Sequence, residues 1–321
     1  MKIGILGAGH IAEKMAATIN KMNSCKLSAI GSRSTEKAKK FAEKFGIPYY
    51  YGSYDKLARS AEVDLIYIAT PHSRHFEDCL LCLENNKNVL CEKPFTVNHK
   101  QAEILFNYAE SKNLFIGEAM WTRFMPMRYV LDKIISENMI GEISSLTADL
   151  GYQIADIERI KKPELAGGAL LDLGIYPLNF AVMAFGKSIG NIVSQCTKNE
   201  YGVDIHNSII ISYDNGKTAI LHSNANAKTS RMGIIYGRKG RIEFKNINNC
   251  EGIEVILNDG QRINYETPQQ ISGYEYEVEA AIKAVSEKRT ECDEMPHSET
   301  LYILRIMDQL RNEWGIRYPF E

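Results

Sequence analysis

Directly behind the first apolar run, residues 2–6, stands Gly7-Ala8-Gly9-His10-Ile11-Ala12, a GxGxxA that leads into a helical pattern over residues 11–22. Few sequence features constrain a fold as tightly. The first glycine serves a tight turn, the second lets the backbone approach a pyrophosphate, and a small third residue lets helix and strand pack closely. Phosphate charge then sits at a helix N-terminus, where backbone N–H groups point outward. With a strand before it and a helix after it, the motif reads as dinucleotide binding through Gly7, Gly9, His10, Ile11 and Ala12.

The continuation agrees with that start. Apolar runs at 27–31, 64–69, 88–91 and 114–118 alternate with charged, helix-period segments such as 34–45 and 98–111. Such alternation predicts βαβ units on a parallel sheet. Past residue 121 the texture changes. A helical stretch at 126–138 is followed by strand patterns at 143–150, 189–196, 207–213, 218–225, 233–236 and 241–244, then by two helices at 274–287 and 298–314. Turn signals at 214–217 and 237–240 fit hairpin connections. The expected architecture is α/β: an N-terminal Rossmann unit with a doubly wound parallel sheet over residues 1–121, then a C-terminal α+β domain with an open, mostly antiparallel sheet over 122–321.

Composition narrows the function classes. A chain of 321 residues suits two domains of ordinary size. Lys and Arg number 38 against 40 Asp and Glu, a net charge of −2, so no broad basic field invites nucleic acid. Seven scattered cysteines read as reduced thiols, and the Cys79/Cys82 pair, in a helical stretch without a second cysteine pair, reads as structural. No uninterrupted run of 18 apolar residues occurs, no cleavable leader is evident after Leu6, and a cytoplasmic protein with no membrane partner is expected. His206, His222 and His297 lack ligand spacing, so no metal site is expected.

Cofactor choice is read at the end of the second strand. An NAD site places an acid there for the ribose 2′-hydroxyl; this chain has Gly31-Ser32-Arg33-Ser34, with Lys37 close by. Hydroxyls and a planar guanidinium suit a 2′-phosphate. The expectation is NADP through Ser32, Arg33, Ser34 and Lys37, with NAD possible. Ligands of doubly wound sheets lie beyond the carboxyl ends of strands. Two segments fall there: Ala69-Thr70-Pro71-His72-Ser73-Arg74-His75, and Cys91-Glu92-Lys93-Pro94. A lysine in the second can hydrogen-bond a substrate oxygen and neutralise developing alkoxide charge.

Together with Gly167-Gly168-Ala169-Leu170-Leu171-Asp172-Leu173-Gly174-Ile175-Tyr176, these motifs resemble the Gfo/Idh/MocA oxidoreductase family over essentially the whole chain. The segment 118–126 and the tyrosine at 176 resemble its branch of dihydrodiol dehydrogenase, NADP-dependent D-xylose dehydrogenase and glucose-fructose oxidoreductase. The resemblance implies an NADP-dependent hydride transfer on a sugar, cyclic polyol or diol, a second domain that carries the substrate pocket, and a homodimer or higher homo-oligomer. It makes Lys93 the lysine of the EKP motif and Tyr176 the general acid/base; Asp172, one helical turn before Tyr176, is expected to orient the substrate or Lys93. Thr70, Pro71, His72, His75, Glu92 and Lys93 are expected at the cofactor, and Trp121, Arg123, Phe124, Asp172 and Tyr176 at the substrate, with a packing or cap role for His72 and His75 and a salt bridge for Arg123 as the alternatives.

An ordinary tyrosine, with a pKa near ~10, is a poor base, and neighbouring cations favour its phenolate. Many relatives carry a histidine at position 176 and an acid at position 179; Asn179 here argues against inositol or amino-sugar substrates that use that acid. Pro177 is expected to kink a helix running through Asp172 and Tyr176. The alternatives are an NAD-linked inositol or sugar dehydrogenase, and a non-catalytic NADP-binding sensor.

Overall fold

Strands β1 (Lys2–Leu6), β2 (Lys26–Gly31), β3 (Tyr49–Tyr51), β4 (Leu65–Ile68), β5 (Asn88–Glu92) and β6 (Ile116–Ala119) form one parallel sheet in the order β3-β2-β1-β4-β5-β6, in a computed structural model that describes all residues, Met1–Glu321. This is the Rossmann order, with the topological switch point between β1 and β4. Past the exposed Lys2 the central strands are buried: Ile3, Ile5 and Leu6 of β1 and Leu65, Ile66, Tyr67 and Ile68 of β4 are all at most 1% exposed. Each such aliphatic side chain contributes roughly 1.5–3 kcal/mol through burial. Helices His10–Ile19, Thr35–Phe45, Tyr54–Ala58, His75–Glu84 and His99–Lys112 make the crossovers.

Local chemistry sets the helix ends. Ser34 and Asn98 each accept the backbone N–H three residues on, from Lys37 at 3.2 Å and Gln101 at 3.0 Å, so two helices begin where caps satisfy orphan donors. Gly46 and Asn113 end the same helices in the left-handed region.

The second sheet holds β7 (Ile143–Gly151), β8 (Ile189–Lys198), β9 (Asp204–Tyr213), β10 (Thr218–Asn224), β11 (Gly233–Gly237), β12 (Gly240–Lys245), β13 (Gly252–Leu257) and β14 (Arg262–Tyr265), in the order β14-β13-β12-β11-β7-β10-β9-β8. Every pairing is antiparallel except β10 with β7. Alternation in β10 buries Ala219, Leu221 and Ser223, while Ile220 is 48% exposed. Across the sheet, Val193, Ile210, Ile220 and Thr147 fall in one register row, and the first three are exposed.

Three strands escape the sequence reading: β3, β13 and β14. β3 is three tyrosines on a sheet edge, two of them exposed, without alternation. β14 is a four-residue edge strand. The chain divides into two compact units, Met1–Phe124 with Gln270–Arg305, and Met125–Gln269 with Ile306–Glu321. A single handover at residue 121 misses the return of 270–305 to the first unit. Within that unit, helix Glu275–Ser286 packs against β5, and Glu275 caps its own helix by accepting the N–H groups of Ile271, Ser272 and Gly273 at 2.6, 3.0 and 2.7 Å.

Helix composition also qualifies the reading of apolar runs. Pro163–Phe185 is long and apolar enough to cross a membrane by length and composition, yet 89% of its apolar window is buried inside the protein. Its apolarity is that of a core helix. All seven cysteines are free thiols, and Cys79 and Cys82 are fully buried.

Candidate functional site

The dinucleotide end belongs to the first unit. Gly7 follows β1 at φ +110, and a Cβ there would stand 2.6 Å from the Ala69 carbonyl oxygen, so the position admits only glycine. Its N–H donates to Gly31 O at 2.9 Å, which draws the ends of β1 and β2 together. Gly9 caps helix His10–Ile19 without a side-chain bond, and a Cβ there would meet nothing within 4 Å. That open space faces unpaired first-turn donors, the cradle a pyrophosphate requires. Ala12 is fully buried under the helix, and His10 is exposed at its start.

Thr70, just past β4, supplies a further fit. Its hydroxyl oxygen is buried and has no hydrogen-bond partner within the chain, an orphan that a bound dinucleotide can satisfy. Pro71 and His72 beside it are half-buried, with His72 opening a short turn, His72–Arg74. At the end of β2, Ser32 is buried while Arg33, Ser34 and Lys37 are exposed. Ser34 works as the helix cap described above and keeps its own hydroxyl hydrogen. Arg33 hydrogen-bonds Tyr54, and the Arg74 guanidinium lies within electrostatic reach of the same ring. Sequence reading passed over Arg74 and Tyr54; only the fold brings the two crossovers side by side.

The Lys93 loop is held on several sides, with a cis bond between Lys93 and Pro94. Lys93 N–H donates to Glu92 Oε2 at 3.1 Å, and the buried Tyr67 hydroxyl donates to Glu92 Oε1. Phe95 N–H donates to Glu118 Oε1 at 3.0 Å, whose other oxygen accepts from Thr300 Oγ1 at 2.9 Å. Burial raises the Glu118 pKa, against the pull of those bonds and of the Arg123 and Lys93 charges. The side chain of Lys93 itself is half-buried.

For His75 and Arg123 the structure shows the packing and ion-pair alternatives. His75 is fully buried, and its ring nitrogens face Pro94 O at 2.8 Å and Thr70 O at 3.0 Å, so it ties two loops together instead of reaching a cofactor. Burial lowers its pKa. Arg123 is 3% exposed and donates to Glu299 Oε2 at 3.0 Å, an internal ion pair rather than a substrate contact. Its partner lies 176 residues away, invisible to motif reading. Glu92 likewise is the loop's anchor, through its two bonds. Trp121 stacks on Tyr274 with ring centroids 4.2 Å apart, and Phe124 is buried nearby in sequence.

The other motif belongs to the second unit. Leu170–Gly174 forms a π-helical turn that runs into helix Ile175–Phe185. Pro177 cannot donate within this helix, and a wider turn stands just before it. Asp172 and Tyr176 are 5% and 7% exposed. Asn179 is fully buried and donates to Ile175 O at 2.8 Å, a bond inside its own helix.

The glycines before the turn have a packing reason. A Cβ on Gly167 would stand 2.4 Å from Ile160 O, and one on Gly168, at φ +118, 2.5 Å from Asp204 Oδ1. The segment Glu158–Lys161 therefore lies directly on them and carries Arg159 to Asp172, with Nη1 2.7 Å from Oδ1. Asp204 accepts Leu170 N–H at 2.8 Å and Asn207 Nδ2 at 2.8 Å, and Ser223 Oγ donates on to Asn207 at 2.8 Å. Burial pushes the Asp204 carboxyl up to about 6. Tyr318 donates its hydroxyl to Gly167 O at 2.7 Å. Arg159, Asp204 and Tyr318 were missed in the sequence; the Gly-Gly pair was the one available sign that backbone or polar groups approach closely here.

Comparison with known proteins matches these two halves separately. Residues 1–119 match the family described as "Oxidoreductase family, NAD-binding Rossmann fold", and residues 130–243 the "GFO/IDH/MocA C-terminal domain". The chain is 33% identical over 328 residues to a trans-1,2-dihydrobenzene-1,2-diol dehydrogenase of Xenopus tropicalis, covering 99% of both chains. The human protein of that name is 28% identical over 330 residues, covering 99% of this chain and 98% of its own. Among solved structures, a 3-ketoreductase of Actinomadura kijaniata in complex with NADP and TDP-benzene aligns with TM-score 0.88, 24% identity and 97% coverage of each chain. An aldose-aldose oxidoreductase of Caulobacter crescentus complexed with glycerol aligns with TM-score 0.88 and 22% identity, over 98% of this chain and 97% of its own. A dinucleotide cradle on a Rossmann sheet, a held EKP loop and full-length likeness to named dehydrogenases lead to one assignment: the chain belongs to the Gfo/Idh/MocA oxidoreductase family.

Proposed function

We propose that this oxidoreductase uses NADP(H) to interconvert C–OH and C=O on a diol, cyclic polyol or sugar. The observation that carries the reading is Tyr176 itself, on a buried helix whose start is locked by Asp204 and Tyr318, in a chain alike over its whole length to dihydrodiol dehydrogenases. In the proposed roles, Lys93 hydrogen-bonds the reacting oxygen and Tyr176 exchanges its proton. Asp172, held by Arg159, orients the substrate. The nicotinamide, when bound, supplies or accepts the hydride. A screen of diols, polyols and aldoses, following nicotinamide absorbance with both cofactors, tests the activity; no turnover with any of them refutes it in favour of a sensor.

Preference for NADP is supported by Arg33 at the end of β2, where no acid stands, and by Arg74 near the same Tyr54 ring. Ser32→Asp places a carboxylate against the 2′-phosphate, and like charges so juxtaposed cost several kcal/mol. The variant is expected to lose NADP affinity by about tenfold or more and to shift toward NAD. A titration with both cofactors that shows the wild-type preference retained refutes this role for the segment.

A homodimer is proposed through the open face of the second sheet. Val193, Ile210 and Ile220 stand 59%, 44% and 48% exposed in one cross-strand row, an apolar surface suited to a second copy. The expected mass in solution is that of a dimer, reduced to a monomer by Ile210→Lys. A monomeric wild-type chain contradicts the assignment.

A further inference from the structure

On the helix that packs against β5, within electrostatic reach of Glu92, lies a buried acid that the proposed roles leave unused. Glu277 sits in the first turn of helix Glu275–Ser286, which packs against β5 within the first unit. It is fully buried, and neither carboxyl oxygen has a hydrogen-bond partner. The titratable groups around it are Glu92 at the end of β5, Tyr67 on β4, Glu275 on its own helix and Cys292 from the segment beyond. None of them is a cation, and the Tyr67 hydroxyl is already given to Glu92. A carboxylate in such surroundings has neither counter-charge nor donor to offset its lost hydration.

We propose that Glu277 is a positioning residue for Lys93 and works as a neutral carboxylic acid behind Glu92. Burial first, and the Glu92 charge second, hold its proton well above the usual carboxyl range. While Glu277 keeps that proton, Glu92 carries the negative charge alone. It then accepts the Tyr67 hydroxyl and the Lys93 N–H, one of the bonds that hold the loop. Ionisation of Glu277 sets two carboxylates against each other in a dry site, and the Glu92 anchor loosens.

The sign of the pH dependence follows from linkage. In the unfolded chain Glu277 titrates near ~4.3, and in the folded chain at higher pH. Below both values the proton is present in either state and Glu277 costs nothing. As pH rises between them, the folding constant falls about tenfold per pH unit on account of this group, and the loss levels off above the folded value.

Glu277→Gln keeps shape and neutrality, so the ratio of its folding constant to that of the wild type should climb about tenfold per pH unit in that window. Glu277→Met removes the titration with a different side chain and should give the same climb, so a Gln variant that fails to fold does not end the test. A constant ratio across pH, in whichever variant folds, overturns the neutral acid. The positioning half is read from the Lys93 amide proton shift in chain labelled at lysine nitrogen. It should follow the Glu277 titration in wild type and lose that step in the variant; the same step in both overturns it. The proposal rests on Lys93 being a working residue, but neither measurement uses substrate. Missing turnover therefore counts against the proposed activity alone.

Discussion

Lys93→Met is expected to lower turnover by about 10²–10³-fold, the effect of removing one preorganised donor to a developing oxyanion. NADP(H) affinity should stay near that of the wild type. The backbone bonds of the loop survive this substitution. The bonds that hold the loop come from Lys93 N–H, Phe95 N–H and Pro94 O, to Glu92, Glu118 and His75; the lysine ammonium makes none of these three. Methionine has a similar length and flexibility, so it removes the charge and keeps the side-chain volume. A stopped-flow comparison of cofactor binding and turnover separates the two effects. Turnover equal to wild type refutes the role of Lys93, and an equal loss of cofactor affinity reassigns it to binding.

Tyr176→Phe should lower kcat by about 10²–10⁴-fold, the range for general acid–base groups. The pH limb of kcat that the tyrosine governs should vanish with it. Tyr176 lies on a helix whose residues Ile175–Val182 are all buried, so phenylalanine conserves shape and packing, and the unfolding midpoint should hardly move. A variant with intact stability, intact kcat and an unchanged pH profile refutes the assignment. Asp172 offers a weaker test, because its bond to Arg159 mixes catalysis with the placing of the segment Glu158–Lys161.

Local features were legible in the sequence wherever their cause was local. The GxGxxA, the helical segments 34–45 and 98–111, and the turns at 214–217 and 237–240 each act within a few residues, and the structure places them as read. Six strands of the second sheet were legible from alternation, for the same reason. What escaped depends on residues far apart. The edge strands β3 and β14 owe their state to a neighbour, having little apolar pattern of their own. His75 and Arg123 carry polar groups at strand ends, where a ligand and a distant backbone or side chain are equally good partners. Only the fold shows that Thr70 O, Pro94 O and Glu299 take them. The π-turn at Leu170–Gly174, five residues long and directly before the helix that carries Pro177, is a local irregularity that the sequence pattern did not show.

The single parallel pairing in the second sheet sets a timetable for synthesis. β7 lies between β10 and β11, both of which leave the ribosome long after it. Between the end of β7 at Gly151 and the start of β10 at Thr218, roughly 70 residues must emerge, about 3 to 14 s of translation at ordinary rates. Through that interval a nine-residue strand has no neighbour on either edge. The first unit waits longer still, since its Gln270–Arg305 portion is made after the whole of that sheet. A nascent chain of this kind reaches its stable form only near its end, so in the cell its yield depends on protection of unpaired strand edges during synthesis as well as on the stability of the finished fold.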